Sequence, residues 1–312
     1  MIPLKFKICH IDEISELLKI DLIAIPTFQE YIRIRPDIFE WVDILCENSR
    51  SVRQIYKNFD LFEEVTDLTT DTIIFCSLYL EVLEFIGQSH LARPLVNALI
   101  TKYPNNKILF HWNHDIDFYS KYSWFQEFKQ AYVIQFNTSK RLPNDIVVPI
   151  WNINTAPINE AKVYRGGFLG QINNPLRATL YTCLNNREGF LVEDTTAGKK
   201  YDEMTFLKKL SSCQFVFCPR GQGLSSYRFF ETFHINSIPV LIADDVELPY
   251  EDTLFYTDFS IRIPEEKAGD FKYIESQLIY SEDKLTQLNS VKEKFSLKGV
   301  QELIYKTLKE SL

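Results

Sequence analysis

The chain has 312 residues, 46% hydrophobic and 24% charged, enough for two domains with separate cores and too apolar for a disordered or low-complexity protein. Its formal net charge of −8 argues against a surface built for nucleic acid or anionic membrane, both of which need a basic field, so any basic pocket must be local. Six cysteines, at positions 9, 46, 76, 183, 213 and 218, show neither a CxxC pair nor zinc-like spacing; several lie in apolar runs and read as small core residues in a reduced compartment.

Short strands are expected at Leu4–Ile8 and Asp21–Ile25, then an amphipathic helix at Pro36–Glu47 with proline in its first turn. Thr72–Cys76 is a β-branched strand, Ser89–Tyr103 a helix, and Ile108–Trp112, Tyr132–Phe136 and Ile146–Pro149 are further strands, the alternation of an α/β domain. The polar, turn-rich stretch Trp151–Glu160 reads as a linker. A second set follows, with strands near Val163, Phe190, Val216, Val240 and Ile261 and helices at Pro175–Asn185 and Asp202–Ser211; beyond Asp270 the pattern is helical. The expected division is 1–152, 153–290 and a terminal helix, 291–312. No run reaches the roughly 18 apolar residues of a spanning helix, and the longest candidate, Thr72–Gly87, is interrupted by Glu81 and Glu84. The N-terminus carries no basic region, apolar stretch and small-residue cleavage site in succession.

The most informative segment is Cys213–Pro264. Gln214–Cys218 is an apolar, β-prone run; Pro219, Arg220, Gly221, Gln222 and Gly223 then forbid regular continuation. Ser225 or Ser226 caps a helix at Tyr227–His234, and Ile238–Ala243 is a second buried strand ahead of Asp244. A βαβ unit of this kind demands a parallel sheet, in which ligands settle where strand ends meet helix starts and free N–H groups favour phosphate. Arg228 and Glu231, three apart, share a helix face: a guanidinium suits pyrophosphate, and a carboxylate one turn deeper suits paired ribose hydroxyls. The same spacing also makes an ordinary ion pair on a solvated face. Phe229, Phe230 and Phe233 read as the core side of the helix.

The runs FCPRG, SSYRFFE, SIPVLIADDVELPY and FSIRIPE, in that order and spacing, resemble the exostosin family of glycosyltransferases. Looser resemblance extends upstream through Lys107–Asp115 (KILFHWNHD), Asp145–Ile150 (DIVVPI) and Tyr164–Arg177 (YRGGFLGQINNPLR), so that it covers roughly the last two thirds of the chain. The resemblance implies a GT-B architecture, two Rossmann-like α/β domains facing across a cleft, with the donor held by the C-terminal domain and the acceptor by the N-terminal one. It further implies a nucleotide-sugar donor, UDP-linked, and transfer with inversion to a glycan acceptor hydroxyl, as in synthesis of a surface polysaccharide. Eukaryotic exostosins are anchored in the Golgi at their N-termini, and this sequence departs from that pattern. The expected setting is therefore cytoplasmic, with at most peripheral docking on a membrane. Oligomeric state has no signal in the sequence.

Inverting transfer requires a base for the acceptor hydroxyl and charge relief for the departing diphosphate. His111, His114, Asp115 and Asp117 cluster at the end of the Ile108–Trp112 strand, where the family has an HD pair; Asp115 is the first candidate for the base and His114 the second, although such a carboxylate also suits orienting the acceptor or bracing the loop. The donor-site candidates are Arg165, Gly166, Arg177, Arg220, Gly221, Ser225, Ser226, Arg228 and Glu231, the glycines being places where backbone approaches phosphate or simply turns. Asp244, Asp245 and Glu247 look like a divalent-metal cluster. GT-B enzymes usually replace the metal with helix dipoles and basic side chains, so Asp244 and Glu247 read as donor-sugar or loop-fixing residues, and neither a metal nor another cofactor is expected. Two other readings compete: a metal-dependent hydrolase built on His111, His114, Asp115 and Asp117, and a non-catalytic nucleotide- or glycan-binding scaffold.

Overall fold

A computed structural model describes residues 3–34, 61–78, 80–112, 114–149, 158–196 and 201–310; the expected helix Pro36–Glu47 and most of the expected linker Trp151–Glu160 lie outside them. The chain divides into two compact units, one comprising Met1–Phe136, Lys140–Val148 and Leu297–Leu312, the other Asn137–Ser139 and Pro149–Ser296.

In the first unit, strands β1 (Leu4–Cys9), β2 (Phe62–Glu64), β3 (Ile73–Cys76), β4 (Ile108–Trp112), β5 (Ala131–Gln135) and β6 (Asp145–Val147) form a sheet in the order β2-β1-β3-β4-β5-β6. All its pairings are parallel. Helices α1 (Ile11–Leu18), α2 (Pro26–Ile34), α3 (Leu80–Phe85), α4 (Ala92–Lys102) and α5 (Phe118–Lys121) occupy the connections. Ile74, Cys76, Ile108, Phe110 and Val133 of the strands pack with Leu83 of α3 and Leu95 and Leu99 of α4 in one buried cluster, as expected of strands covered on both faces. Phe6 stacks on Phe75 at 4.7 Å, and Phe62 meets Tyr305 of the terminal helix Leu297–Glu310 edge-on at 6.3 Å. Lys107 Nζ donates to the Leu308 carbonyl at 3.1 Å, closing the end of that helix.

The strand expected at Asp21–Ile25 is instead a turn. The Asp21 carboxylate accepts from Ala24 N–H at 3.1 Å and the Leu22 carbonyl from Ile25 N–H at 3.2 Å, a local alternative to sheet pairing that feeds directly into α2.

The second unit holds β7 (Tyr164–Gly170), β8 (Phe190–Asp194), β9 (Cys213–Pro219), β10 (Ile238–Ile242) and β11 (Ile261–Arg262), ordered β11-β10-β9-β7-β8 and again parallel throughout. Helix α6 (Pro175–Leu184) links β7 to β8, α7 (Glu203–Ser211) links β8 to β9, and α8 (Tyr227–Glu231) with a 3₁₀ turn at Thr232–His234 links β9 to β10; α9 (Phe271–Gln277) and α10 (Glu282–Val291) follow. Asn174 and Asp202 cap α6 and α7, their side chains accepting from Arg177 and Thr205 N–H at 2.9 Å each. Phe229, Phe230, Phe233, Phe259 and Phe295 form an edge-to-face aromatic core. Cys218 is wholly buried, its thiol pushed up to about 12 by desolvation, which marks it as packing rather than a redox group.

Both sheets reverse their winding at one place, between β1 and β3 and between β7 and β9. In open parallel sheets the crevice outside the carboxyl ends of the strands flanking such a reversal is where ligands bind.

Candidate functional site

At the carboxyl ends of β7 and β9 the structure gathers two arginines. Arg228 of α8 reaches back to β7, its Nη1 donating to the Leu169 carbonyl, while its Nε pairs with Glu231 Oε2 at 3.2 Å. Arg177, in the first turn of α6, donates from Nε to the Arg220 carbonyl just beyond β9 at 3.1 Å and from Nη1 to the Gln171 carbonyl at 3.2 Å. Burial, and then the neighbouring positive charge of Arg228, hold the Arg177 guanidinium below its ordinary pKa. Two cations facing one carboxylate leave one excess positive charge at the reversal point, which favours an anionic ligand.

The loop between β9 and α8 is fixed from several sides. Asn174 Nδ2 donates to the Arg220 and Gly221 carbonyls at 3.3 and 3.0 Å, and Gly221 N–H donates to the Ser225 carbonyl at 3.2 Å. A Cβ on Gly221 would lie 3.6 Å from Arg177 Nη2, in ordinary contact with that nitrogen. Asn137, which the sequence reading passed over, accepts from Ser225 N–H at 2.9 Å and packs where a Gly223 side chain would stand. Phe206 of α7, also passed over, lies with its ring 4.2 Å from the Arg228 guanidinium carbon.

Other candidates take different roles. Helix α8 is five residues long, with Ser226 at the cap position making no side-chain cap bond and Ser225 and Ser226 both buried. So short a segment sums little dipole, and the guanidinium groups rather than the helix end supply the positive field. Arg220 is drawn to Glu265, with Nε 2.7 Å from Oε1, and Asp244 Oδ1 accepts from Glu265 N–H at 2.9 Å. Arg220, Asp244 and Glu265 thus brace the ends of β9, β10 and β11, which makes Asp244 a loop-fixing residue. Glu247 N–H donates to the Thr138 carbonyl at 2.9 Å, beyond the end of β10. Arg165 and Gly166 do not join the site. Arg165 lies at the amino end of β7, 3.8 Å from Glu275 and donating to the Leu278 carbonyl; strand direction sends it to the opposite edge from Arg228. Gly166 is a strand residue, not a turn: a Cβ there would sit 2.8 Å from Phe217 and 2.9 Å from Phe190. Its small size serves aromatic packing.

In the first unit the expected histidine–aspartate group disperses. His111 is buried within β4, and desolvation lowers its pKa to about 3. Asp117 caps α5, accepting from Ser120 N–H at 3.0 Å. His114 Nδ1 accepts from Ile116 N–H at 2.9 Å, and its ring stacks on Trp112 at 5.3 Å; Asp115 beside it is exposed. Among the described residues no group of three or more His, Cys, Asp or Glu side chains converges to hold a metal ion.

The family model of the Exostosin GT47 domain matches residues 100–278, more than half of the chain. The exostosin-1 homolog of Caenorhabditis elegans is 30% identical over 90 residues, 28% of this chain and 24% of that protein. A probable glycosyltransferase of Arabidopsis thaliana is 22% identical over 173 residues, 52% of this chain and 36% of that protein. The chain thus matches about a quarter to a third of the length of these curated relatives. A solved α1,3-fucosyltransferase is similar at a TM-score of 0.45 and 13% identity, over 98% of this chain and 90% of that one. Two Rossmann-like α/β units are the components of the GT-B class, and with the family domain running through β4 to α9, the chain belongs to the exostosin GT47 family of glycosyltransferases.

Proposed function

We propose that the chain transfers a sugar from a nucleoside-diphosphate donor, UDP-linked, to a hydroxyl of a glycan acceptor with inversion at the anomeric carbon, in assembly of a surface glycan. The observation that carries this reading is the pair Arg177 and Arg228, each held by backbone carbonyls at the reversal point of the second sheet. Guanidinium groups fixed before the reaction stabilise the charge that develops on a leaving diphosphate without reorganising. Glu231, tied to Arg228, presents carboxylate oxygens to a ribose diol. The acceptor proton is assigned to Asp115, ahead of His114, whose desolvation lowers its pKa and whose Nδ1 is engaged by Ile116. With guanidinium groups carrying the charge relief, no metal is required. The setting proposed is cytoplasmic, with at most peripheral membrane docking; among the described residues no helix is long and apolar enough to cross a membrane.

The test is incubation of the chain with a panel of UDP-sugars and oligosaccharide acceptors, with the anomeric configuration of the product read by NMR. Inversion, activity that persists in EDTA, and an Asp115→Asn chain whose kcat falls by about 10²–10⁴ while UDP affinity holds are the expected results. Retention of configuration or abolition by EDTA contradicts the mechanism, and UDP binding without turnover of any donor favours the scaffold reading.

A further inference from the structure

Arg228 is held on three sides. Its Nε pairs with Glu231, its Nη1 donates to the Leu169 carbonyl, and one face of the guanidinium lies on the Phe206 ring at 4.2 Å. The side chain is 18% exposed. Two hydrogen-bonded nitrogens still allow a planar group to tilt about the line joining them; a ring against its face removes that freedom and compensates the desolvated cation with the negative face of the π system. The nitrogen left over, Nη2, is thereby given one direction.

Phe206 can do this because Glu193 of β8 ties its helix at both ends, through Tyr201 just before it and Lys209 near its close. Asp202 caps the start of α7 through Thr205 N–H at 2.9 Å and Oγ1 at 2.6 Å. Towards its end Lys209 Nζ pairs with Glu193 Oε1 at 2.9 Å, and the other oxygen of Glu193 accepts from Tyr201 Oη at 2.5 Å. The ring is therefore fixed relative to β8 and, through Arg228, to the end of β7.

We propose that Phe206 is a positioning residue of the donor site, holding the Arg228 guanidinium so that Nη2 meets the diphosphate of the nucleotide. This rests on the donor reading given above. It is tested by calorimetric titration of the full chain with UDP, in wild type, Phe206→Leu, Phe206→Met and Phe206→Tyr, each repeated in an Arg228→Lys background. Leucine and methionine fill the space without a π face, and either serves if the other folds poorly. The expected result is about a tenfold weaker Kd for UDP in Phe206→Leu and Phe206→Met, recovery in Phe206→Tyr, and little further loss from any of them once Arg228 is lysine. Wild-type affinity in the leucine and methionine chains overturns the proposal. So does a loss of equal size in the Arg228→Lys background, which would mark Phe206 as packing alone. Failure of the wild-type chain to bind UDP or GDP instead overturns the donor reading itself, and this role with it.

Discussion

The carboxamide of Asn137 accepts a hydrogen bond from the Ser225 N–H at 2.9 Å and occupies the space beside Gly223 so closely that a Cβ there would stand 2.4 Å from its Nδ2. The loop leading to Arg228 is thus set by a residue lying far away in sequence. Gly223→Ala should cost about 1–3 kcal/mol through overpacking. Asn137→Ala should cost a similar amount, about 1–3 kcal/mol, by leaving a buried N–H without its acceptor. The double variant should cost less than the sum, since alanine at 137 vacates the contested space. Urea unfolding of the four chains measures this directly; strict additivity would show that the two residues do not meet.

Gly166 and Gly221 make opposite predictions, although both lie in motifs of the same family. A methyl group on Gly166 would press on Phe217 and Phe190, so Gly166→Ala should lower stability by about 1–3 kcal/mol and leave UDP affinity of the folded chain within about twofold. A methyl on Gly221 would sit 3.6 Å from Arg177 Nη2, an ordinary contact, so Gly221→Ala should leave stability nearly unchanged and weaken UDP. Thermal unfolding with and without UDP separates the two effects.

His111 makes stability depend on pH. Its folded pKa of about 3 lies below the ordinary 6.5, so between those values the unfolded chain binds the extra proton. Its contribution to stability is complete above about pH 6.5 and declines as pH falls towards about 3, by at most about 1.4 kcal/mol per pH unit. Asp145 acts in the opposite sense, because burial raises its pKa from 3.8 to about 6 and favours the folded state as it protonates. The comparison of wild type with His111→Phe cancels the Asp145 component. Urea midpoints at pH 7.5 and pH 5 should show a steeper acid loss in wild type; equal slopes would place His111 in contact with water.

Strands β9 and β10 were legible because each is a short apolar run closed by turn residues, and the caps Asn174 and Asp202 stand where polar side chains precede helical patterns. Arg177, Arg228 and Glu231, all expected at the donor face, do stand at one edge of the sheet, since motif and strand order bring them there. Arg165 was misread because proximity in a motif carries no information about which end of a strand a residue occupies. Gly166 was misread because a strand glycine facing aromatic rings looks, in one dimension, like a glycine facing phosphate. Asn137 and Phe206 left no local signal: one follows a strand and the other lies within a connecting helix, and their roles exist only through Ser225 and Arg228. Glu265 stood in the FSIRIPE run, yet its pairing with Arg220 depends on β9, β10 and β11 ending side by side.

If Arg228 and Glu231 of α8 hold a nucleoside diphosphate, UDP needs both side chains to bind. Calorimetric titration of UDP into wild type, Arg228→Ala and Glu231→Ala decides this. Saturable binding to the wild-type chain, with a matching rise in melting temperature, and no measurable heat or thermal shift in either variant while both retain a cooperative unfolding transition, is the expected result. Undiminished UDP binding in both variants would contradict it.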